Sequence, residues 1–358
     1  MPLTTPRPDT PATEAPSPSP ARAGKSHRDR PDYRTTLAVL VGLVLLGVLL
    51  YYAGLEQVWN RLRLLGWYAP LIFLPYAVTT LFDAEGWRVT LRPDDRRRVP
   101  FWALFLTRMS GEAVNSVTPT ATIGGEPVKA FMLRRWGVAT SDAMASVVIA
   151  RTALMAAQST FVAIGIAAVL DHYGRRGLAV AWLVILLVGC LAFTAGMVWL
   201  QQRNPATLVW RGLRRIAPTW QLVMRLERHA AALDQRLADF YQIERSAFVR
   251  SSLWCLLGWV TGAVEAYLLA ALIDSPVPWQ TALIIEALGQ VTRAVALVIP
   301  GGLGAQELGG AWLCTRLGMP ADAAATLWLL KRARELGFDA VGLLYLTRTT
   351  MRRSLRQT

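Results

Sequence analysis

The sequence predicts an all-α polytopic membrane protein with six full spans and two re-entrant helical hairpins arranged as an inverted repeat. Three observations carry that prediction. Hydrophobic residues make up 53% of the 358 and charged residues only 17%, and several apolar runs reach the roughly 18–20 residues that cross a bilayer. Basic residues gather between those runs, which is how the positive-inside rule looks in a linear sequence. Two apolar stretches are also interrupted by Pro and Gly at matching positions.

The net charge of +14 does not point to nucleic acid, because its Arg and Lys are spread among the loops of a membrane chain rather than held on one soluble face. Cys190, Cys255 and Cys314 sit in apolar segments at unrelated spacings, and His27, His172 and His229 are as scattered. Neither a disulfide framework, a metal centre nor a cofactor is expected.

Residues 1–35 form a Pro-, Ser- and Thr-rich tail without apolar periodicity, expected to be disordered. The membrane domain is expected over 36–348. A first span is placed at Thr36–Ala53 and a second at Gly66–Phe82, the latter ending in Asp83, Trp87 and Arg88 as an interfacial anchor. Spans at Ala143–Leu170 and Leu178–Leu200 follow. The Arg-rich segment 201–247 repeats Leu222, Leu226, Leu233, Leu237 and Phe240 at helical spacing, which predicts a cytoplasmic amphipathic helix beside anionic headgroups. Ser252–Ile273 and Ala321–Leu346 complete the spans, and residues 349–358 are a basic tail. Both termini are expected in the cytoplasm.

The two broken segments are the centre of interest. Phe101–Val117 carries Arg108, Glu112 and Asn115 at i, i+4 and i+7, one helical face. It breaks at Pro119 and Gly124-Gly125 and resumes with Glu126. Thr281–Thr315 carries Glu286 and Arg293, breaks at Pro300, Gly301 and Gly302, and resumes with Glu307. A shift of 181 residues (300 − 119) lays Glu126 on Glu307, Arg135 on Arg316, Gly137 on Gly318 and Arg151 on Arg332 without a gap. Three spans lie between the copies, and an odd number inverts their orientation. Broken segments at matching positions of inverted repeats point to a transporter-like site near the midplane, with Pro119, Gly124, Gly125, Pro300, Gly301 and Gly302 as its hinges.

The last span carries Lys331, Arg332, Arg334 and Glu335 near its middle. At about 2.5–3.5 kcal/mol per central charge, these would cost roughly 10 kcal/mol in lipid, so the span must face protein. Pairing Glu335 with Lys331 or Arg332 within the helix leaves a surplus of positive charge. The candidate substrate-binding set is therefore Glu112, Asn115, Glu126, Arg151, Glu286, Arg293, Glu307, Lys331, Arg332, Arg334 and Glu335. The alternative is a closed salt-bridge network with Glu126, Glu286 and Glu307 that serves assembly alone.

Several of these motifs resemble the transmembrane, flippase-like domain of lysylphosphatidylglycerol synthases, most closely its hopanoid-associated branch. They are Asp83-Ala-Glu-Gly-Trp-Arg88, Gly111-Glu-Ala-Val-Asn115, Gly124-Gly-Glu-Pro-Val-Lys-Ala130, Glu286-Ala-Leu-Gly-Gln290, Pro300-Gly-Gly-Leu-Gly-Ala-Gln-Glu307 and Leu330-Lys-Arg-Ala-Arg-Glu335. That resemblance implies a bacterial inner-membrane protein that moves lipid, a hopanoid or an anionic phospholipid, with lipid-biosynthesis enzymes as further partners. Aminoacyl transfer in that family belongs to a separate soluble domain, for which a sequence ending at Thr358 has no room; no enzyme activity and no catalytic residue are expected. Two rivals stand beside lipid translocation: a non-transporting scaffold for lipid-synthesis enzymes, and a membrane-embedded lipid-modifying enzyme. No Ser, His or Cys converges with a base in the sequence to support the enzyme.

Overall fold

The computed structural model describes residues 44–118, 124–173, 178–216, 221–295 and 304–354. All regular structure among them is helical. The expected tail 1–35, part of the first span, the end of the basic tail, and the hinge residues Pro119, Pro300, Gly301 and Gly302 lie outside the described residues.

In chain order come α1 (Val44–Ala53), α2 (Leu55–Leu64), a 3-10 segment Gly66–Ile72, α3 (Phe73–Thr90), α4 (Pro93–Arg98), α5 (Phe101–Val117) and α6 (Gly125–Leu133). They are followed by α7 (Thr140–Tyr173), α8 (Leu178–Gln201), α9 (Pro205–Ile216), α10 (Gln221–Ile243) and α11 (Arg245–Leu272). The last three are α12 (Trp279–Val295), α13 (Ala305–Arg316) and α14 (Ala321–Ser354). Among the described residues, three helices are long and apolar enough to cross a membrane: Thr140–Asp171, Ala181–Gln201 and Arg245–Leu272. The pair Leu55–Leu64 and Gly66–Thr90, bent by 89°, would be a fourth if it counts as one span. This is an all-α membrane protein.

Several boundaries differ from the sequence reading, each for a physical reason. The second span does not end at Phe82. Instead α3 continues to Thr90, because Trp87 is only 4% exposed and donates from Nε1 to Ser146 Oγ at 3.3 Å. Asp83, Trp87 and Arg88 are thus no interfacial anchor as a group. The amphipathic segment is two helices, α9 and α10, rather than one. Leu237 and Phe240 of α10 pack against Ile149 of α7 and Ala247 of α11, so that face meets the bundle. α14 runs past Leu346 to Ser354, taking the first half of the expected basic tail into the helix.

The 181-residue shift carries through the fold. Applied to α7, it gives 321–354, the bounds of α14; α3 maps within α11, α5 onto α12 and α6 onto α13 to within a few residues. Gly137 and Gly318, at equivalent positions, both hold left-handed φ values of +76° and +91°, where any side chain on Cβ is strained. The cores also correspond. Leu104, Ala130, Leu133, Val138, Ala143 and Val147 form one buried cluster, and their shifted counterparts Ile285, Ala311, Cys314, Met319, Ala324 and Trp328 lie together in another.

The two copies run in opposite directions where they meet. Thr79 Oγ1 donates to Gly258 O (3.3 Å), Phe82 lies against Trp254 with ring centroids 5.6 Å apart, and Ser251 Oγ donates to Gly86 O (2.8 Å). Numbers rise along α3 as they fall along α11, so these equivalent helices are antiparallel. Packing is then reciprocal: α5 leans on α14, where Ser110 Oγ donates to Gly342 O at 2.8 Å, and α12 leans on α7, where Gly165 faces Ala287.

Glycine sets how close each hairpin can fold. A Cβ on Gly125 would collide with the carbonyl oxygen of Gly111, and one on Gly111 would collide with the Lys129 side chain. Asn115 Oδ1 accepts the Gly125 N–H at 2.6 Å and ties α5 to the start of α6. Gly125→Ala should lower stability by about 1–3 kcal/mol through overpacking. Gly196→Ala, in α8 where an added Cβ would meet nothing within 4 Å, should be neutral or raise stability by up to about 1 kcal/mol. Thermal midpoints of the detergent-solubilised variants check the ordering.

Candidate functional site

The site is built on one face of α3. Tyr76, Asp83 and Trp87 stand at i, i+7 and i+11, which places them on the same side of the helix. Asp83 forms an ion pair with Arg108 of α5. Across from it, α11 presents Gly258, where an added Cβ would stand 3.1 Å from Asp83 Oδ1. The carboxylate therefore lies against helix backbone that only glycine leaves clear.

From Asp83 a chain of alternating charges runs into the first hairpin. Arg108 reaches on to Glu112 (3.1 Å), Glu112 accepts from Lys129 of α6 (2.7 Å), and Lys129 also meets Glu126 (3.1 Å). These groups and Arg151 of α7 line a small cavity of about 40 Å³. One water needs some 10–15 Å³ by that measure, so two or three waters fit and a lipid headgroup does not. Cys255 lines it as well.

A second network gathers around α14. Glu265 of α11, 1% exposed, pairs with Arg334 and stands 3.8 Å from Lys331. Lys331 also pairs with Glu286 of α12, whose side chain is admitted by Gly262: a Cβ there would be 2.9 Å from Glu286 Oε1. Arg332 lies 3.4 Å from Glu307 of α13 and 3.3 Å from Glu335. Glu335 meets Arg293 of α12 at 2.8 Å and Arg334 at 3.9 Å. Arg334 Cζ sits 3.8 Å from the centre of the Tyr76 ring, a cation–π contact that ties this network to the same face of α3.

Under the repeat, Glu126 corresponds to Glu307 and Arg151 to Arg332, and both acids occupy the first turn of the second hairpin helix. The positive end of a helix dipole favours a carboxylate there, which gives the repeated acid a local reason. Other equivalent positions have diverged: Glu112 falls on Arg293, and Lys129 on Gly310. The two networks share a place in the fold while their charges sit on different residues.

The expected surplus of positive charge is not found. Lys331, Arg332, Arg334 and Arg293 meet Glu265, Glu286, Glu307 and Glu335, four against four, among the described residues. Around the first cavity, Arg108, Lys129 and Arg151 stand with Asp83, Glu112 and Glu126, three against three. The connecting residues 119–123 and 296–303 contain no ionisable side chain and leave both balances unchanged. Nor is Lys331–Glu335 among the ion pairs: Lys331 turns to Glu286 and Glu265, and Arg332 makes the intrahelical contact instead.

The candidate residues thus fall into two groups: Glu112, Asn115, Glu126 and Arg151 at the first hairpin, and the remaining seven at α14. Asn115, 5% exposed, closes the hairpin through Gly125 rather than facing the cavity. Gly124 has ordinary right-handed helical dihedrals, so its place needs no glycine for backbone reasons, while Gly125 needs one for space. Asp83, Lys129, Tyr76 and Glu265 were not in the sequence-derived set. Glu265 carried a usable signal: it is the lone acid of an apolar span, and it falls one residue from the counterpart of Asp83 under the 181-residue shift.

Some polar atoms in the second network stay unmatched. Glu307 Oε2, Gln290 Oε1 and Arg334 Nη1 are buried without a hydrogen-bond partner, so its geometry leaves room for a further polar group or water to add bonds. Neutralising one member would leave its partner as an uncompensated buried charge. Glu265→Gln is expected to cost about 3–5 kcal/mol. Combined with Arg334→Gln, the total loss should fall short of the two single losses added together by about 1 kcal/mol or more. Chemical or thermal unfolding of the four proteins in detergent measures both.

Comparison with known proteins accords with this architecture. Residues 36–341 match the family described as the lysylphosphatidylglycerol synthase TM region, and the chain belongs to that family. A UPF0104 membrane protein of Methanothermobacter thermautotrophicus is 28% identical over 123 residues, covering 33% of this chain and 35% of that protein. The alignment therefore spans about a third of that relative's length.

Proposed function

We propose that this member of the lysylphosphatidylglycerol synthase TM-region family moves a polar lipid between the leaflets of a bacterial inner membrane, without catalysing a reaction on it. In this reading the chain has six spans, both termini are cytoplasmic, and the hairpins α5–α6 and α12–α13 enter the bilayer without crossing it. The observation that carries the reading is the pair of buried charge networks at equivalent positions of two antiparallel copies. Half-crossing helices at matching places in inverted repeats are how membrane transporters assemble a polar site at the midplane. A polar headgroup can cross only where polar side chains replace water.

The charge balance bears on the cargo. An anionic headgroup entering a neutral network needs a proton or cation with it, or must displace a carboxylate. A lipid whose polar part has no net charge, such as a hopanoid or a zwitterionic phospholipid, leaves the balance intact. The water-sized first cavity corresponds to a closed state, so passage requires the hairpins to separate from α7 and α14. Cys255 on the cavity wall reports such opening, because a membrane-permeant thiol reagent reaches it only when the first hairpin moves.

The balance of charge also favours a second reading, a scaffold whose networks serve assembly alone. Leaflet distribution of a fluorescent phospholipid and of a hopanoid in proteoliposomes separates the two. Transport predicts movement well above protein-free vesicles. With folding verified, it should fall about tenfold or more, equivalent to about 1.4 kcal/mol in the barrier, in Glu307→Gln and Arg332→Gln. Equal movement in all three proteins would sink the transport site as drawn, and movement no faster than in protein-free vesicles would sink the transport reading and leave the scaffold.

A further inference from the structure

A second cavity lies away from both charge networks, where α8, α10 and α11 meet. At about 380 Å³ it falls in the range of small-molecule pockets, about 300–1,000 Å³, and is far larger than the core cavity. Its depth follows from the chain. α8 is an apolar span that ends at Gln201, and α11 is an apolar span that begins at Arg245. Their shared end must lie where hydrocarbon gives way to headgroups.

The lining changes character in the same direction. Val198 from the last turn of α8, with Phe248 and Val249 from the first two turns of α11, form the apolar part. Gln202, Gln242 and Arg245 form the polar part. A wall that is apolar on the span side and rich in donors on the outer side matches the glycerol–phosphate region of a phospholipid. The apolar part is continuous with α8, whose apolar stretch has no residue buried in the protein over 18 positions.

The wall is held in place from behind. Tyr241 Oη donates to Gln201 Oε1 at 2.6 Å, and the Gln201 amide donates in turn to Thr152 of α7. Arg245 donates from Nε to the Tyr241 carbonyl at 3.0 Å, which anchors the guanidinium at the C-terminal end of α10. Among the described residues no carboxylate pairs with Arg245. Glu244, the acid next to Arg245 in the chain, is taken by Arg236 at 3.0 Å. Arg203, beside Gln202, stacks on Trp199 at 5.2 Å and adds a second positive charge without a carboxylate partner among the ion pairs of the described residues. With Arg245 in its lining, the polar part of the cavity is cationic at the depth of lipid phosphates, where anionic lipid is attracted.

We infer that this cavity is a resident site for one anionic phospholipid. Its phosphate takes Arg245, the Gln202 and Gln242 amides donate to its ester and glycerol oxygens, and its first acyl carbons lie along Val198, Phe248 and Val249. The bound lipid joins the amphipathic α10 to the spans α8 and α11. This site does not depend on the core moving lipid.

Native mass spectrometry and thermal shifts of the full chain in mild detergent, titrated with phosphatidylglycerol or phosphatidylcholine, test it. Wild type should retain one phosphatidylglycerol per chain and be stabilised by it. Arg245→Gln, which removes the phosphate partner, and Val249→Trp, which fills the apolar part while keeping the charge, should each weaken that binding about tenfold or more. Arg250→Gln makes the same charge change outside the cavity and should bind as wild type does. Equal loss in Arg245→Gln and Arg250→Gln would mean general attraction to a basic surface and would overturn the site. So would undiminished binding in Val249→Trp, or phosphatidylcholine retained as tightly as phosphatidylglycerol.

Discussion

A charge carried into the interior of a membrane protein must end beside its opposite, and this constraint governs the arrangement of the central helices. Four charges in five residues prevent α14 from facing lipid, so α11, α12 and α13 each bring a carboxylate to it. The same rule fixes α5 and α6, through Arg108 and Lys129, against α3. Since removing one partner of such a pair leaves the other stranded at a cost of several kcal/mol, the networks bind the helices mutually. α3 is the common support, with Asp83 serving one network and Tyr76 the other.

Close approach of backbones makes these pairings geometrically possible. Gly258 and Gly262, one turn apart on α11, stand opposite Asp83 and Glu286 respectively. In membranes, small residues let helices come near enough to pack well, and here they also admit a carboxylate between helices. Gly111 does this for the Lys129 stem, and Gly310 for the Trp328 ring. The glycine pattern is therefore part of the electrostatics, because it sets where an ion pair has room.

The repeat explains why there are two networks, and its divergence explains why they differ. Antiparallel α3 and α11 put the copies in opposite senses; the first helix of each hairpin then packs on the long helix of the other copy, and the second on the long helix of its own. Acids in the first turns of α6 and α13 persist in both. Elsewhere one copy has an acid where the other has a base, as at Glu112 and Arg293, with compensation supplied locally. Side-chain exposure differs as well: Glu126 is 15% exposed and Glu307 only 2%. The repeated acid is thus more open in one copy than in the other.

The sequence by itself determined the helical membrane class, the spans α7 and α8 within three residues, α11 with its start placed seven residues late, and the 181-residue repeat. It also determined that Lys331, Arg332, Arg334 and Glu335 must face protein. Each follows from local composition or from spacing along the chain, which the sequence displays directly. Only the tertiary structure decided which charges meet. Glu265 and Arg334 are 69 residues apart and Asp83 and Arg108 are 25 apart, so no local pattern joins them. A surplus counted along one helix became a balance of four against four once neighbouring helices were in place. The recess among α8, α10 and α11 is likewise invisible in sequence, because its walls come from the ends of three helices brought together by packing elsewhere.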